Sequence, residues 1–359
     1  MSCVSCRRST STKAISANVW KSFQPQRRRS TLPKQHDRGD VNRSQSAAGK
    51  VRHLLNLSDL GPGGLRRVLD HARARKQARI GWPQGAPDGD APLSGHVLAS
   101  LFEKPSTRTR ISFEIAMRQL GGSALTLTAA ELQLGRGETI EDTARVLSGF
   151  VDAVMIRANR HSDVGAFAAF STIPVLNGLT DLSHPCQIVA DLMTAEEHSG
   201  RKADGMVWAW VGDGNNVLNS IIEAAGLLGF TVQAACPVGH DPDEGFVAAA
   251  RARGARIDIV RAPEEAVLDA DMVVTDTWIS MGQSDSEERR KAFQIYQVSP
   301  MLMALARPQA RFLHCLPAHR GEEVTDSVID GPQSLVWDEA ANRVHAQKAL
   351  LLWALGHLA

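Results

Sequence analysis

The chain has 359 residues, of which 43% are hydrophobic and 22% are charged, and its formal net charge at pH 7 is +1. This length is sufficient for two domains, and the composition is typical of a globular protein. No apolar run approaches the roughly 18 residues that a membrane-spanning helix requires, so the sequence predicts no membrane span.

The first 50 residues differ in charge from the rest of the chain. They contain 11 Lys or Arg and two Asp or Glu, which leaves 29 basic and 37 acidic residues elsewhere. Residues 51–359 therefore carry a net charge of −8, which argues against general nucleic-acid binding. Residues 1–50 are rich in Ser, Thr and Arg and show no core-forming pattern, which predicts either a disordered extension or an organellar transit peptide.

Five cysteines without the spacing of a disulfide framework indicate a reducing compartment. The apolar residues of the tail do not line one face of a helix. We therefore expect an appended tail on a cytoplasmic protein, with the mitochondrial matrix as the alternative location.

From Val51 onwards, short apolar runs alternate with helical segments. The predicted strands are HVLASLF, VDAVMIR, TIPVLNG, MVWAWVGDG, TVQAACP, RIDIVRA, DMVVTDTW and ARFLHCLP. The predicted helices include RISFEIAMRQLGG, TIEDTARVLSGF, QIVADLMTAEEHSG and NVLNSIIEAAGLLGF. This alternation predicts an α/β protein with parallel sheets covered by helices, and the length predicts two such sheets.

The segment LFEKPSTRTRISFE, residues 101–114, lies between the first predicted strand and a helix. A helix N-terminus offers unpaired backbone N–H groups and the positive end of the helix dipole. Three hydroxyl side chains and a guanidinium group add donors suited to phosphate oxygens; they belong to Ser106, Thr107, Thr109 and Arg108. A simple helix cap explains one hydroxyl but not three beside two arginines. The segment therefore predicts an anion site, and without a Gly-Lys-Ser/Thr ending it is not a nucleotide triphosphate loop.

Other polar clusters also stand at the ends of predicted strands. Arg157 ends VDAVMIR, and His184 and Gln187 follow TIPVLNG. The segments VGDGNN, DTWISMGQ and HCLPAHRGEE close later strands. Because ligands bind at the carboxyl ends of parallel strands, these clusters predict one functional edge on each sheet.

Two alternative sites find little support in the sequence. VGDGNN lacks the third glycine of a dinucleotide fingerprint, since that position holds Val217, and no acidic residue ends the next strand. The histidines His184, His314 and His319 lack the spacing of a zinc site. We therefore expect neither a nicotinamide cofactor nor a metal.

The motifs FEKPSTRTR, HPCQ, DTWISMGQ and HCLPAHRGEEV closely resemble the transcarbamoylase family, and the last three resemble its ornithine-using members. The similarity extends from about residue 51 to the C-terminus. One departure is Cys186, where the family carries Thr, Ile or a similar residue. We expect little effect if the backbone acts there.

The resemblance implies two parallel-sheet α/β domains joined by helices, with the C-terminal helix packing back on the first domain. It places a carbamoyl-phosphate domain at residues 51–185, joined by the C-terminal helix 341–359, and an ornithine domain at residues 186–340. It also implies transfer of the carbamoyl group of carbamoyl phosphate to the δ-amine of L-ornithine, without a cofactor.

The site residues follow from the same resemblance. Those implied to bind carbamoyl phosphate are Ser106, Thr107, Arg108, Thr109, Gln133, Arg157, His184, Gln187, Cys315, Leu316 and Arg343. Those implied to bind ornithine are Asn216, Asp276, Ser280 and Met281. The catalytic set is Arg108, Arg157, His184, Asp276 and Cys315.

The family assembles its sites between subunits, so we expect a homotrimer or an assembly of trimers in which Gln133 reaches a neighbouring site. Two alternatives stay open: a transcarbamoylase for another amine, such as putrescine or an acylated ornithine, and a non-catalytic protein that binds carbamoyl phosphate.

Overall fold

The computed structural model describes residues 51–131, 137–279 and 286–358. The strands within these ranges are β1 Val97–Phe102, β2 Ser123–Thr128, β3 Ala153–Arg157, β4 Val175–Leu179, β5 Val207–Val211, β6 Thr231–Ala235, β7 Ile257–Val260, β8 Met272–Thr275 and β9 Arg311–His314. The α-helices are α1 Gly61–Gln77, α2 Thr107–Gln119, α3 Ile140–Ser148, α4 His161–Phe170, α5 Pro185–Ser199, α6 Asn216–Leu228, α7 Glu244–Ala252, α8 Pro263–Val267, α9 Glu287–Phe293, α10 Pro300–Met303, α11 Asp326–Ile329 and α12 Val336–Ala354. Two 3-10 turns cover Leu57–Asp59 and Gln294–Tyr296.

The first sheet is parallel, with strand order β2-β1-β3-β4. Its central strands β1 and β3 are buried almost throughout, which agrees with their continuous apolar sequences. Phe102 pairs with Arg157 in the register of these two strands. The end of β3 therefore lies beside the turn that leads from β1 into α2.

The second sheet is also parallel, with strand order β7-β6-β5-β8-β9. Thr275 at the end of β8 pairs with His314 at the end of β9. The residues that follow, Asp276 and Cys315, are consequently neighbours. The predicted fold of two parallel-sheet α/β units is confirmed.

Helices α5 and α12 connect the two sheets. Every residue of α5 from Pro185 to Glu196 is buried, as expected for a helix covered on all sides. Helix α12 packs against α5, α1, α2 and β9, so the C-terminal helix returns to the first sheet as predicted. The predicted domain boundary at residues 185–186 falls in the first turn of α5 and stays a prediction.

The turn between β5 and α6 explains the glycines of VGDGNN without a nucleotide. A side chain at Gly214 would collide with the backbone of Asp241 and Pro242, so this position must be glycine for the chain to pack. Within the described ranges, no helix is both long enough and apolar enough to cross a membrane.

Candidate active site

The turn between β1 and α2 presents a capped helix N-terminus. Ser106 is the N-cap residue, and its Oγ accepts a hydrogen bond from the Thr109 backbone N–H at 3.3 Å. The helix begins at Thr107, so Thr107, Arg108 and Thr109 form its first turn. Thr107 is exposed, Ser106 and Arg108 are half-buried, and Thr109 is fully buried. The turn thus combines a helix N-terminus, which favours anions, with a guanidinium group.

Two further arginines converge on Thr109. Arg343 of α12 donates from Nη2 to Thr109 Oγ1 at 2.9 Å, and Arg157 donates from Nη1 to the same oxygen at 3.4 Å. Both side chains are buried, and the Nε of each has no hydrogen-bond partner among the described residues. Burial, followed by the charge of Arg343, lowers the pKa of Arg157 to about 10. Two buried guanidinium groups that share one hydroxyl oxygen form a positively charged cluster, which suits a site for an anion.

His184 lies at the N-cap position of α5. Its backbone N–H donates to Ser220 Oγ at 2.8 Å, and its buried Nδ1 has no partner in the described chain. Burial, followed by the charges of Arg343 and Arg157, lowers the pKa of the His184 imidazole well below its ordinary value. The imidazole is therefore neutral at neutral pH and keeps a nitrogen available for a ligand.

Gln187, in the first turn of α5, joins this cluster through its amide. Its Oε1 accepts a hydrogen bond from Arg343 Nη1 at 2.7 Å. Cys186, the departure noted in the HPCQ motif, is buried and its thiol donates to the Asn177 carbonyl oxygen at 3.3 Å. The Cys186 side chain therefore packs in the core and does not join the arginine cluster.

A second group forms at the carboxyl end of the other sheet. Cys315 Sγ donates to Asp276 Oδ1 at 3.2 Å, and Asn215 Nδ2 donates to Asp276 Oδ2 at 2.8 Å. Burial, followed by the Asp276 carboxylate, raises the pKa of the Cys315 thiol well above its ordinary value. The thiol is thus a protonated donor that fixes one oxygen of Asp276. Glu339 of α12 accepts from the Gln187 amide and from the His314 backbone N–H, which precedes Cys315, so the two groups are close.

The loop after β9 is held in an unusual conformation. Leu316 has a positive φ of 58°, the Leu316–Pro317 bond is cis, and the Leu316 N–H donates to His314 Nδ1 at 2.9 Å. His314 Nε2 pairs with the buried Glu323 carboxylate at 3.1 Å. A positive φ at a non-glycine residue persists only when the surrounding structure enforces it.

The structure brings several of the predicted residues together. Thr109, Arg157, Gln187 and Arg343 form one hydrogen-bonded cluster. The Asn216 amide donates to the Thr180 carbonyl oxygen at 2.5 Å. Three predicted residues lie outside the described ranges, namely Gln133, Ser280 and Met281.

Sequence reasoning missed three residues that hold the predicted ones. Asn215 contacts Asp276, whereas the prediction named its neighbour Asn216. Asp191 and Glu339 are both buried, and both accept hydrogen bonds from Gln187 Nε2. Helical spacing could have indicated Asp191 and Glu339. Asp191 lies four residues after Gln187, and Glu339 lies four residues before Arg343.

Side chains that could ligate a metal also meet here. Potential ligand atoms of Asp276, His314 and Cys315 lie within 4.8 Å of one another. However, Leu316 N–H and Glu323 already engage both ring nitrogens of His314. This arrangement fits a hydrogen-bonded scaffold better than a metal centre.

Comparison with known proteins gives two adjoining family matches. Residues 52–197 match the aspartate/ornithine carbamoyltransferase carbamoyl-P binding domain, and residues 204–354 match the Asp/Orn binding domain of the same family.

Individual relatives resemble nearly the whole described chain. The ornithine carbamoyltransferase of Rhizorhabdus wittichii is 61% identical over 308 residues, which is 86% of this chain and 99% of that protein. The one from Caulobacter vibrioides is 59% identical over 305 residues, 85% of this chain and 98% of that protein. The solved ornithine carbamoyltransferase from Pyrococcus furiosus superposes with a TM-score of 0.80 at 49% identity, covering 86% of this chain and 98% of that structure.

Proposed function

The chain belongs to the aspartate/ornithine carbamoyltransferase family, and we propose that it transfers the carbamoyl group of carbamoyl phosphate to the δ-amine of L-ornithine. The products are L-citrulline and phosphate. One site catalyses both directions, so the enzyme serves arginine biosynthesis or, in reverse, arginine catabolism.

The observation that carries the proposal is the convergence of Arg157 and Arg343 on Thr109 in the first turn of α2. A dianionic phosphate on this helix N-terminus accepts from backbone N–H groups, from hydroxyls and from Arg108. Ser106, Thr107 and, from a neighbouring subunit, Gln133 complete the phosphate contacts.

The carbonyl end of carbamoyl phosphate lies towards Arg157 and His184 in this proposal. The δ-nitrogen of ornithine attacks the carbonyl carbon, and negative charge grows on the carbonyl oxygen. Arg157 and the neutral imidazole of His184 donate to that oxygen and stabilise the tetrahedral species. The carbon–oxygen bond to phosphate then breaks, and phosphate leaves with the proton that the amine gives up.

The carbamoyl NH2 group needs acceptors. Gln187 Oε1 has a second lone pair beside the one that Arg343 uses, and it accepts one N–H. The backbone at Cys315 and Leu316, held by its contact with His314, supplies the other acceptor.

Ornithine binds at the second group of residues, around Asp276, in this proposal. Asp276, Asn216, Ser280 and Met281 recognise the α-amino and carboxylate groups, while Asp276 and Cys315 orient the δ-amine. An ammonium with a pKa of about 10 cannot attack, so the amine must lose a proton before or during the reaction. Holding both substrates in place can lower the barrier by roughly 7 to 11 kcal/mol.

The two matched regions support a division of labour between the domains. The first, with the α12 arginine, binds carbamoyl phosphate, and the second binds ornithine. Ornithine binds after carbamoyl phosphate, because the second domain closes over an occupied anion site.

We propose a homotrimer, or an assembly of trimers, in the cytoplasm. Activity measured beside light scattering on dilution tests this assembly. A fully active monomer would contradict the contribution of Gln133 from a neighbouring subunit.

The decisive experiment for the function is citrulline formation by the purified protein with carbamoyl phosphate and three acceptors. L-ornithine is expected to react, whereas putrescine and N-acetylornithine are not. Buried polar groups left unpaired by the wrong acceptor can impose a factor of about 10⁴ to 10⁵. Comparable turnover of putrescine would contradict the acceptor assignment. Tight carbamoyl phosphate binding without turnover of any amine would identify a non-catalytic binding protein.

A further inference from the structure

The orientation of the Gln187 amide is fixed by chemistry on both sides. Arg343 on one side can only donate, so it faces the amide oxygen, at 2.7 Å. Asp191 Oδ1 and Glu339 Oε1 on the other side accept from the amide nitrogen, at 2.7 and 2.8 Å. An inverted amide would place its NH2 group against the guanidinium. Gln187 therefore presents its oxygen, an acceptor, towards the arginine cluster.

Glu339 makes a second contact that extends to the other sheet. Its Oε2 accepts from the His314 backbone N–H at 2.9 Å, while its Oε1 accepts from Gln187. His314 ends β9 and leads directly into Cys315 and Leu316. One carboxylate thus spans the two segments proposed above to accept from the carbamoyl NH2 group.

Asp191 supports Glu339 from α5. Asp191 Oδ1 and Glu339 Oε1 accept from the same Gln187 nitrogen, and both carboxyls are buried. Burial raises the pKa of Asp191 to about 7, and burial followed by the Asp191 charge raises the pKa of Glu339 well above its ordinary value. Like charges this close disfavour each other's ionisation.

We propose that Glu339, assisted by Asp191, is a positioning residue that sets the spacing between Gln187 Oε1 and the Cys315–Leu316 backbone and thereby selects an NH2-bearing acyl phosphate. The inference rests on the proposed function, because it refines how that site recognises carbamoyl phosphate. Acetyl phosphate is the matched discriminating ligand. It carries the same phosphate and carbonyl, but a methyl group stands where carbamoyl phosphate has its NH2.

The competing explanation is a purely structural link between α12, α5 and β9. It predicts a loss of stability on substitution but no change in ligand preference. Three ligands distinguish the two explanations. Inorganic phosphate, acetyl phosphate and carbamoyl phosphate share the phosphate contacts and differ in the group attached to the phosphate.

Glu339→Gln is the primary variant, measured by calorimetric titration with the three ligands on the full chain. A Gln side chain has one oxygen for two donors, so either Gln187 or His314 loses its acceptor. The preference for carbamoyl phosphate over acetyl phosphate is expected to fall by about 10- to 100-fold, as for a buried group left unsatisfied. The affinity for inorganic phosphate is expected to stay unchanged. Glu339→Asp, too short to span both donors, serves as the second variant and is expected to lose the same preference.

The control is a buried carboxylate outside this cluster. Glu223→Gln also removes a buried carboxylate that accepts from two backbone N–H groups, those of Leu57 and Ser58, and it is expected to change stability alone.

An unchanged preference in Glu339→Gln, or equal affinities of the wild type for carbamoyl and acetyl phosphate, would overturn the inference. A wild type that prefers carbamoyl phosphate as stated but forms no citrulline would support the inference and contradict the acceptor assignment. The two failures are therefore distinguishable.

Discussion

Arg343 Nη2 donates a hydrogen bond to Thr109 Oγ1 at 2.9 Å and so joins the last helix of the chain to the first turn of α2. The proposed anion site is consequently not a local loop. It needs the turn after β1, the end of β3 and a face of α12, and each contributes an arginine.

The first prediction concerns Arg108. Arg108→Ala removes a charge-assisted contact to the phosphate and should weaken carbamoyl phosphate binding by about 2 to 5 kcal/mol. Calorimetric titration measures the change. Arg110→Ala, two residues along the same helix and exposed, is the matched control and should bind normally. Equal affinity of both variants would show that Arg108 does not contact the ligand.

The second prediction concerns Asp276, whose two oxygens accept from Cys315 and Asn215. Asp276→Asn leaves one acceptor oxygen for two donors. We expect kcat/KM for ornithine to fall about 10- to 150-fold, which corresponds to the loss of one hydrogen bond to a charged group. Initial rates at saturating carbamoyl phosphate measure it.

The control for Asp276 lies at the opposite end of the same strand. Asp271 precedes β8, is buried and pairs with Arg307. Asp271→Asn should lower stability without changing ornithine kinetics. A similar kinetic loss in both variants would indicate that the strand, and not the Asp276 carboxylate, is responsible.

The third prediction concerns Asp88, which forms ion pairs with three basic side chains. Arg75, Arg79 and Lys348 approach its carboxylate at 2.7, 2.6 and 2.6 Å, and Lys348 is fully buried. Asp88→Asn leaves these charges uncompensated and should cost about 3 to 5 kcal/mol of the free energy of unfolding. Asp90→Asn, at a carboxylate 58% exposed, should cost less than about 1 kcal/mol. Urea unfolding of both variants tests the contrast, and equal costs would contradict it.

The fourth prediction concerns the pH dependence of stability through His345 on α12. Burial, followed by the charge of Lys348, lowers the pKa of His345 to about 4. The unfolded chain, with a histidine pKa of about 6.5, therefore binds more protons between those values. Stability should fall as pH falls from about 6.5 to about 4, and the loss is complete below that range.

His345→Gln does not titrate, so the wild type should lose more stability than the variant across this window. Above about pH 6.5 the difference between the two should be constant. Urea unfolding of both proteins at several pH values measures it. A difference that does not vary with pH would exclude a lowered pKa at His345.

The fifth prediction concerns the N-terminal segment. Every predicted site residue lies between Ser106 and Arg343. Deleting residues 1–45 should leave kcat, both KM values and the thermal midpoint unchanged. Loss of activity on truncation would show that the segment is structural and not an appended or targeting extension.

The sequence was sufficient to predict the strands whose residues are apolar on both faces, and the clusters at their ends. It did not predict β2, because this edge strand is only partly buried and carries hydroxyl residues. The helix after β1 also begins earlier than its apolar spacing indicates, since its first turn is polar.

The contacts that hold the site are harder to predict because they join distant positions. Gln187 and Glu339 are 152 residues apart, and nothing local to either indicates the other. Asn215 was missed for another reason. The resemblance assigned a role in ornithine binding to Asn216, which stays a prediction, and it gave no role to the adjacent Asn215, whose contact with Asp276 joins two distant turns.

The contact between Thr109 and Arg343 also has a consequence for protein synthesis. The two residues are 234 positions apart, so at about 5 to 20 residues per second the ribosome adds Arg343 about 10 to 50 s after Thr109. A nascent chain can pair the strands of its first sheet during this interval, but it lacks one arginine of the anion site and the helix that covers it. Carbamoyl phosphate can therefore stabilise only finished polypeptides, and chains that terminate early gain no protection from the metabolite.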